Sequence, residues 1–368
     1  MNLATSPEQA ELQASARRFL ENEVSRERLL AWDRTPEGYD AAFWRAVSEL
    51  GWVGFSLPEA FAGGGASLLD AALILEEWGR AAAPACLHSA IVGGRALARL
   101  CGAATGSELA AVARGERQVT LAVYEHDTRR EISRFRTWVE NGKLHGEKWF
   151  VRQGVTADLL IVAALENGKP VLVLVPIGAK GVERRELGTF GGDRQSVLRF
   201  DGVPIERDSR LADGADARGA LARVEQESVA LALAEMVGGF TAVVEMTIAY
   251  VKERVQFNQP LGKFQAVQFR CADMATSLAG TRHLAFQAIW RLSEGLDATR
   301  ELALARAFAG GAYKQATLDA HQLHGGAGYV VEHPLHRYSE RAQSYAILFA
   351  DEDQALEETA DRLLGRTT

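Results

Sequence analysis

The spacing of apolar positions changes twice along the chain. Up to about residue 117 apolar residues recur at helical intervals. The stretch SPEQAELQASARRFLENEV opens with Ser6 and Pro7, a suitable N-cap and first-turn pair. AFWRAVSELGWVGFSLPEAFAGGGASLLDAALILEEWGR predicts a helix, a loop broken at Gly63, Gly64 and Gly65, and a second helix. From about residue 118 the runs are short and rich in β-branched and aromatic residues: QVTLAVY, RTWVE, KLHGEKWFV, DLLIVAAL, PVLVLVP and SVLRFDGVPI. Asn141-Gly142 and Asn167-Gly168 are turn signals between strands, and Asp201-Gly202 is a similar break. After about residue 216 the helical period returns. Val229, Leu233, Met236, Val237, Phe240, Val244, Thr247, Val251 and Val255 keep one face apolar. Further runs near 264–293, 301–322 and 339–365 are long enough for a four-helix bundle with short connections. The expected fold class is α+β. It has an N-terminal all-α domain (1–117), a middle antiparallel β-barrel-like domain (118–215) and a C-terminal four-helix bundle (216–368).

Composition narrows the function classes. With 47% hydrophobic and 24% charged residues over 368 positions, the chain can bury a large core. A net charge of −7 argues against a nucleic-acid surface. No run of about 18 apolar residues suggests a membrane span, and the N-terminus lacks a signal-peptide apolar region. Cys86, Cys101 and Cys271 show no paired spacing, which points to a reducing compartment, and a cytoplasmic location is expected. His321, His324, His333 and His336 invite a metal reading. Pro334 lies inside the set and no Cys or fixed carboxylate completes it, so no metal site is expected.

One stretch interrupts the C-terminal helices. RVQFNQPLGKFQAVQFRCADM (254–274) carries Pro260, Leu261 and Gly262 in its middle, where a helix should break. Arg254, Gln256, Phe257, Gln259, Lys263 and Gln265 flank that break. Farther on, QLHGGAGYVVEHPLHRY (322–338) places two glycines after an amide side chain. These two stretches, GEKWFV (146–151) and the N-terminal run with its Pro-Glu and Gly-Gly resemble segments of the acyl-CoA dehydrogenase family, in the same order and over nearly the whole chain.

The resemblance implies FAD shared between subunits. The isoalloxazine ring would sit between the β-domain and the bundle of one chain, and the pyrophosphate and adenine would reach a neighbouring chain. Arg254 would offer a charged fork to a phosphate. Phe257 would give an apolar wall and is expected in the core in either case. Gln322, Gly325 and Gly326 would supply an amide and two backbone positions with no Cβ. Phe150 would take the place of the family's flavin-stacking aromatic, and Val123, Tyr124 and Arg152 would also face the cofactor. Plainer roles stand beside these: a surface ion pair for Arg254, a helix end for the glycines, and a core strand position for Phe150. Gly238 and Gly239 would allow a close helix contact or leave room for an acyl chain.

The chemistry the resemblance implies needs a base. A carboxylate takes the α-proton of an acyl-CoA thioester while the β-hydrogen leaves as hydride to flavin N5. Counting forward from Gly325-Gly326 places Phe349 in the family's usual slot for that base, and counting back from Tyr250 places Ser228 in the alternative slot. Asp351 is then the first candidate and Glu227 the second. Their plainer readings are a helix N-cap and a solvated helix residue. The family's Thr-Glu-Pro loop reads VYEHDTRREIS here (123–133), its flavin-facing Thr is Arg152, and the Gly after Phe257 is Asn258. These departures keep two alternatives open: a non-catalytic or half-site subunit of a heteromeric acyl-CoA dehydrogenase, and a relative using the pocket for other oxidation chemistry or none. The resemblance further implies electron-transfer flavoprotein as the electron acceptor and a homo- or hetero-oligomer, a dimer of dimers.

Overall fold

The computed structural model describes residues 5–102, 105–126, 132–349 and 351–364. Six helices come first: α1 (Pro7–Glu23), α2 (Arg26–Trp32), α3 (Ala41–Glu49), α4 (Leu68–Arg80), α5 (Cys86–Leu100) and α6 (Gly106–Ala113). Eight strands follow: β1 (Val119–Ala122), β2 (Trp138–Glu140), β3 (Lys143–Arg152), β4 (Leu159–Glu166), β5 (Lys169–Pro176), β6 (Val182–Leu187), β7 (Gln195–Pro204) and β8 (Arg210–Asp213). After them come α7 (Gly214–Glu253), the two-residue strands β9 (Val255–Gln256) and β10 (Gln259–Pro260), and α8 (Gln265–Ser293), α9 (Thr299–His324), α10 (Leu335–Leu348) and α11 (Glu352–Leu363). Ser6 caps α1 through a reciprocal capping box with Gln9, and Pro7 stands in the first turn.

By internal contacts the chain forms two compact units. The first joins residues 1–28 and 68–83 to 226–368. The second joins 29–67 to 84–225. The N-terminal helices are thus shared out: α1 and α4 go with the C-terminal helices, and α3, α5 and α6 go with the sheet. Periodicity is local. It identifies a helix and its apolar stripe, but not the layer that the stripe covers.

In the sheet unit the strand order is β6-β7-β3-β2-β4-β5-β8, with β1 paired to β4 off this path. Most pairings are antiparallel, but β1 and β2 each run parallel to β4, so the sheet is mixed. β4 and β5 read as near-continuous apolar runs because residues on both of their faces are buried. Leu144, Leu160, Val162, Val173, Leu198 and Phe200 form one core cluster. Asn141-Gly142 and Asn167-Gly168 both hold positive φ at both residues, as a two-residue hairpin turn requires. Asp201-Gly202 is a correction: it breaks no strand. Gly202 is the extra residue of a bulge within β7, opposite Leu144 and His145. β6 and β8 were not legible; β6 is an exposed edge strand, VERREL, with no apolar alternation.

In the helical unit α7 supplies the central apolar face. Val229, Leu233, Met236, Val237, Phe240, Val244, Thr247 and Val251 are all buried, whereas Val255 has left the helix and is exposed. By length and composition alone α7 could cross a membrane, but 83% of its most apolar window is buried inside the protein. A Cβ on Gly238 would lie 1.7 Å from the Glu76 carbonyl oxygen, and one on Gly239 would lie 2.3 Å from the Tyr313 hydroxyl. The pair therefore serves close packing of α7 on α4 and α9. Glu76 and Glu77 on α4 pair with Arg282 and Arg17. The last predicted helical run is two helices, broken between Leu348 and Glu352.

Candidate functional site

The break within residues 254–274 is a β-hairpin. α7 ends with the Arg254 amide donating to the Tyr250 carbonyl at 2.8 Å. Val255 then pairs with Pro260, and Gln256 with Gln259. The two turn residues, Phe257 and Asn258, have φ of 52° and 63°. Two positive φ values define a type I′ turn, which Asn adopts nearly as readily as Gly. Asn258 thus keeps the turn without the family's glycine. Phe257 is a correction: it stands at the hairpin tip, 85% exposed, and is not core. Its apolar alternation with its neighbours is genuine, but the turn carries it out of the helix packing.

A second corner meets the first. α9 ends at His324, and Gly325 takes φ 56°, ψ −142°, a conformation open only to glycine. A Cβ on Gly325 or Gly326 would meet nothing within 4 Å, so both face open space. The Tyr250 hydroxyl donates to the His324 carbonyl at 3.2 Å, and the two rings stack at 4.4 Å. This contact holds the turn below Arg254 against the glycine corner. Arg254 and Gln322 are exposed there, and the Arg254 guanidinium makes no hydrogen bond or ion pair among the described residues. Its plainer reading as one half of a surface ion pair is not realised among the described residues.

Imidazoles pack beneath the corner. His324 Nδ1 donates to the Ala320 carbonyl at 2.8 Å, and its Nε2 has no hydrogen-bond partner among the described residues. His333 meets its ring edge-on at 4.7 Å, and His321 stacks on Tyr329 at 4.6 Å. Burial is the main cause that lowers the pKa of all three below the ordinary imidazole range; for His321 and His333, neighbouring imidazoles add to it. No group of three or more metal-ligating side chains converges among the described residues.

The two candidate bases have different surroundings. Asp351 Oδ1 accepts the Gln354 amide at 3.2 Å, so its carboxylate caps α11. Glu227 is only 1% exposed, which corrects its reading as a solvated helix residue. Phe349 is buried and packs edge-on against Tyr345. Glu235, which sequence reasoning passed over, is also buried and accepts the Tyr345 hydroxyl. Its signal was a carboxylate set inside the apolar run VALALAEMVGG.

In the sheet unit a bulge presents Phe150. Lys148 pairs with Leu198 and Val151 with Ser196, so three steps on β3 oppose two on β7. Phe150 takes φ 54° and is 41% exposed, which sets it apart from an ordinary core strand position. Val123 is buried in a cluster with Ile132 and Phe135. Tyr124 accepts the Trp149 amide at 2.8 Å. Arg152 is turned inward: its Nη1 donates to His88 Nδ1 at 2.6 Å, and its Nε lies 3.7 Å from Asp193. Part of the VYEHDTRREIS loop, residues 127–131, lies outside the described residues.

A buried ion pair lies behind these positions. Lys148 Nζ donates to Glu125 Oε1 at 2.8 Å, with neither side chain more than 6% exposed. Burial pushes the Lys148 pKa down to about 8 against the pull of Glu125. Burial also raises the Glu125 carboxyl, but Lys148 and the Arg136 amide outweigh it and leave the pKa below the ordinary value.

The residues present fit FAD in part. An unpaired guanidinium, an exposed amide and bare backbone suit the phosphates and edge atoms of a dinucleotide. Phe150 offers a ring for stacking. Arg152 is committed to His88 and Asp193, so the family's hydroxyl at that place is replaced by a partly buried cation.

The guanidinium–glycine corner of the helical unit and the aromatic-bearing β-bulge of the sheet unit are the parts that the resemblance assigns to a flavin dinucleotide. The N-terminal and C-terminal domain models of acyl-CoA dehydrogenases match residues 6–114 and 218–364. The acyl-CoA dehydrogenase IpdE2 of Mycolicibacterium smegmatis is 30% identical over 346 residues, spanning 93% of this chain and 94% of its own. The ChsE4-ChsE5 complex of Mycobacterium tuberculosis superposes with a TM-score of 0.90 at 25% identity, covering all of both chains. The Tcur3481-Tcur3483 steroid ACAD superposes at 0.89 and 28% identity, covering 98% of this chain and 99% of that one. The chain belongs to the acyl-CoA dehydrogenase family, oxidoreductases acting on CH–CH groups.

Proposed function

We propose that the chain removes two hydrogens across Cα–Cβ of an acyl-CoA thioester, with FAD as its cofactor and Glu227 as the base. The observation that carries the reading is the joined corner: Tyr250, one turn before the exposed Arg254, bonds to His324, the residue preceding Gly325 and Gly326. Arg254 would hold a phosphate, Gln322 and the glycine backbone would line the nucleotide, and Phe150 would stack on the ring. Bound FAD supplies the two-electron acceptor that takes the β-hydrogen as hydride. Glu227 takes the α-proton. Its burial supports the role, because a buried carboxylate acts in a site from which water is excluded. Asp351 is passed over because its carboxylate accepts the Gln354 amide and is engaged as the cap of α11.

A second reading is favoured by Phe349, buried at the slot where the resemblance expects a base, and by the inward Arg152. In it, this chain is the half-site or non-catalytic subunit of a mixed oligomer, and its corner serves a partner's FAD. Two of the solved neighbours are named for pairs of proteins, which supports this reading without deciding it. In both readings the chain works as a homo- or hetero-oligomer, and electron-transfer flavoprotein is the proposed electron acceptor.

The test is anaerobic reduction of the FAD-loaded chain by acyl-CoA thioesters. Glu227→Gln is expected to slow reduction by about a hundredfold to ten-thousandfold, the range for loss of a general base, with FAD content unchanged. Reduction of the variant at the parent rate removes Glu227 from the role. Reduction that begins only when a second acyl-CoA dehydrogenase chain is co-purified selects the half-site reading.

A further inference from the structure

Lys148 occupies an inward position of β3, in phase with Leu144, where strand alternation calls for an apolar residue. It is fully buried, and its ammonium group has three close neighbours. Nζ donates to Glu125 Oε1 at 2.8 Å and to the Val123 carbonyl at 3.4 Å, and lies 3.6 Å from the centre of the Phe135 ring. Glu125 gathers more of the chain. Its Oε2 accepts the Arg136 amide at 2.6 Å, and its Oε1 accepts the Thr137 amide at 3.0 Å. One ion pair therefore ties together residues 123–125, residues 136–137 and the second half of β3.

The joined segments carry residues that the resemblance places at the cofactor. Val123 and Tyr124 immediately precede Glu125, and Phe150 lies two residues beyond Lys148. The register shift falls between Lys148 and Val151, so the pair anchors the start of the bulge that turns Phe150 outward. The Trp149 amide bonded to the Tyr124 carbonyl adds a backbone tie at the same level. Burying two charges costs several kcal/mol per ion, and apolar replacements of such pairs are often no less stable. Core stability alone is thus a weak reason for an ion pair here. Registry between a loop and a bulge is a better one, because charged partners with several bonds fix relative position where apolar contacts tolerate sliding.

We propose that Glu125 and Lys148 are positioning residues for the cofactor: they lock the Val123–Tyr124 segment to the Phe150 bulge without touching the cofactor themselves. This rests on the FAD reading above.

The test compares FAD affinity with apoprotein stability. Glu125→Gln combined with Lys148→Met removes both charges at nearly constant shape, and Lys148→Met alone, which leaves the Glu125 oxygens their Arg136 and Thr137 amide donors, is the second variant. The apoprotein of the double variant is expected to melt close to the parent. Its FAD dissociation constant is expected to rise by about tenfold to a hundredfold, the scale of losing a supporting shell or misplacing a contact. The visible circular dichroism of the bound flavin should change with it. A purely structural pair predicts the reverse, a lowered melting temperature with FAD affinity and dichroism unchanged, and that result overturns the proposal. So does failure of both variants to fold as apoproteins. If the double variant does not fold, Lys148→Met decides by the same two readouts. A parent that binds no FAD overturns the cofactor reading and this proposal together, whereas a parent that binds beside variants that bind equally well removes only the positioning role.

Discussion

Arg254 shows how a single residue links fold to function. Its backbone closes α7 through Tyr250 and accepts the Leu261 amide, while its guanidinium stays exposed. The backbone work would be done by any residue, so the side chain is free to serve something outside this chain. Arg254→Ala is therefore expected to leave stability within about 0.5 kcal/mol, as for most surface substitutions, while weakening FAD binding. Arg254→Lys should recover only part of the loss, because an ammonium cannot offer the planar two-pronged donor. Titration of apoprotein with FAD, beside a denaturant melt, checks both halves. Residues in local turns were legible from sequence for a related reason. Asn141-Gly142 and Asn167-Gly168 carry their conformation in their own chemistry. Phe257 was misread because its apolar character suits a core, while the turn that exposes it depends on positive φ at a non-glycine residue. Lys148 and Glu125 carry no signal of their own in the sequence, since only strand register and distant partners make them a buried pair.

At the scale of the element, α7 and α9 set the corner, and the histidines beneath it tie that corner to pH. His321, His324 and His333 have folded pKa values below the ordinary 6.5 because burial disfavours the imidazolium. The unfolded chain therefore binds protons more readily than the folded one. Stability from this cluster is fully present above about pH 6.5 and is lost as pH falls through the lower folded values. Apoprotein melting temperature is expected to drop on acidification below that point. His324→Phe, which keeps a ring against Tyr250 but cannot titrate, should flatten the drop; an unchanged slope would remove His324 from the effect. The helices themselves were legible because α7 to α9 hold long apolar stripes. The split between α10 and α11 was not, since the break at Phe349 and Asp351 rests on a cap rather than on Gly or Pro. β6 was missed because an exposed edge strand has no buried face to impose alternation.

For the whole molecule, the order of helices, strands and helices followed from composition shifts that run over tens of residues. The assignment of α1 and α4 to the C-terminal helices did not, because it depends on contacts such as Glu76 with Arg282 and Gly238 with the Glu76 backbone. The corner residues were legible through their order and spacing. Which carboxylate serves as base was not legible, because the slots that spacing points to hold Phe349 and Ser228, and only burial separates Glu227, the proposed base, from a surface helix residue. The account holds that this chain grips FAD and oxidises an acyl-CoA thioester. The most direct test is the visible spectrum of the purified chain before and after a panel of CoA thioesters under anaerobic conditions. A flavin spectrum that bleaches with at least one thioester is the predicted result. A chain that holds no flavin when purified and reconstituted, alone or with a partner chain, or a flavin that no thioester reduces, would contradict it.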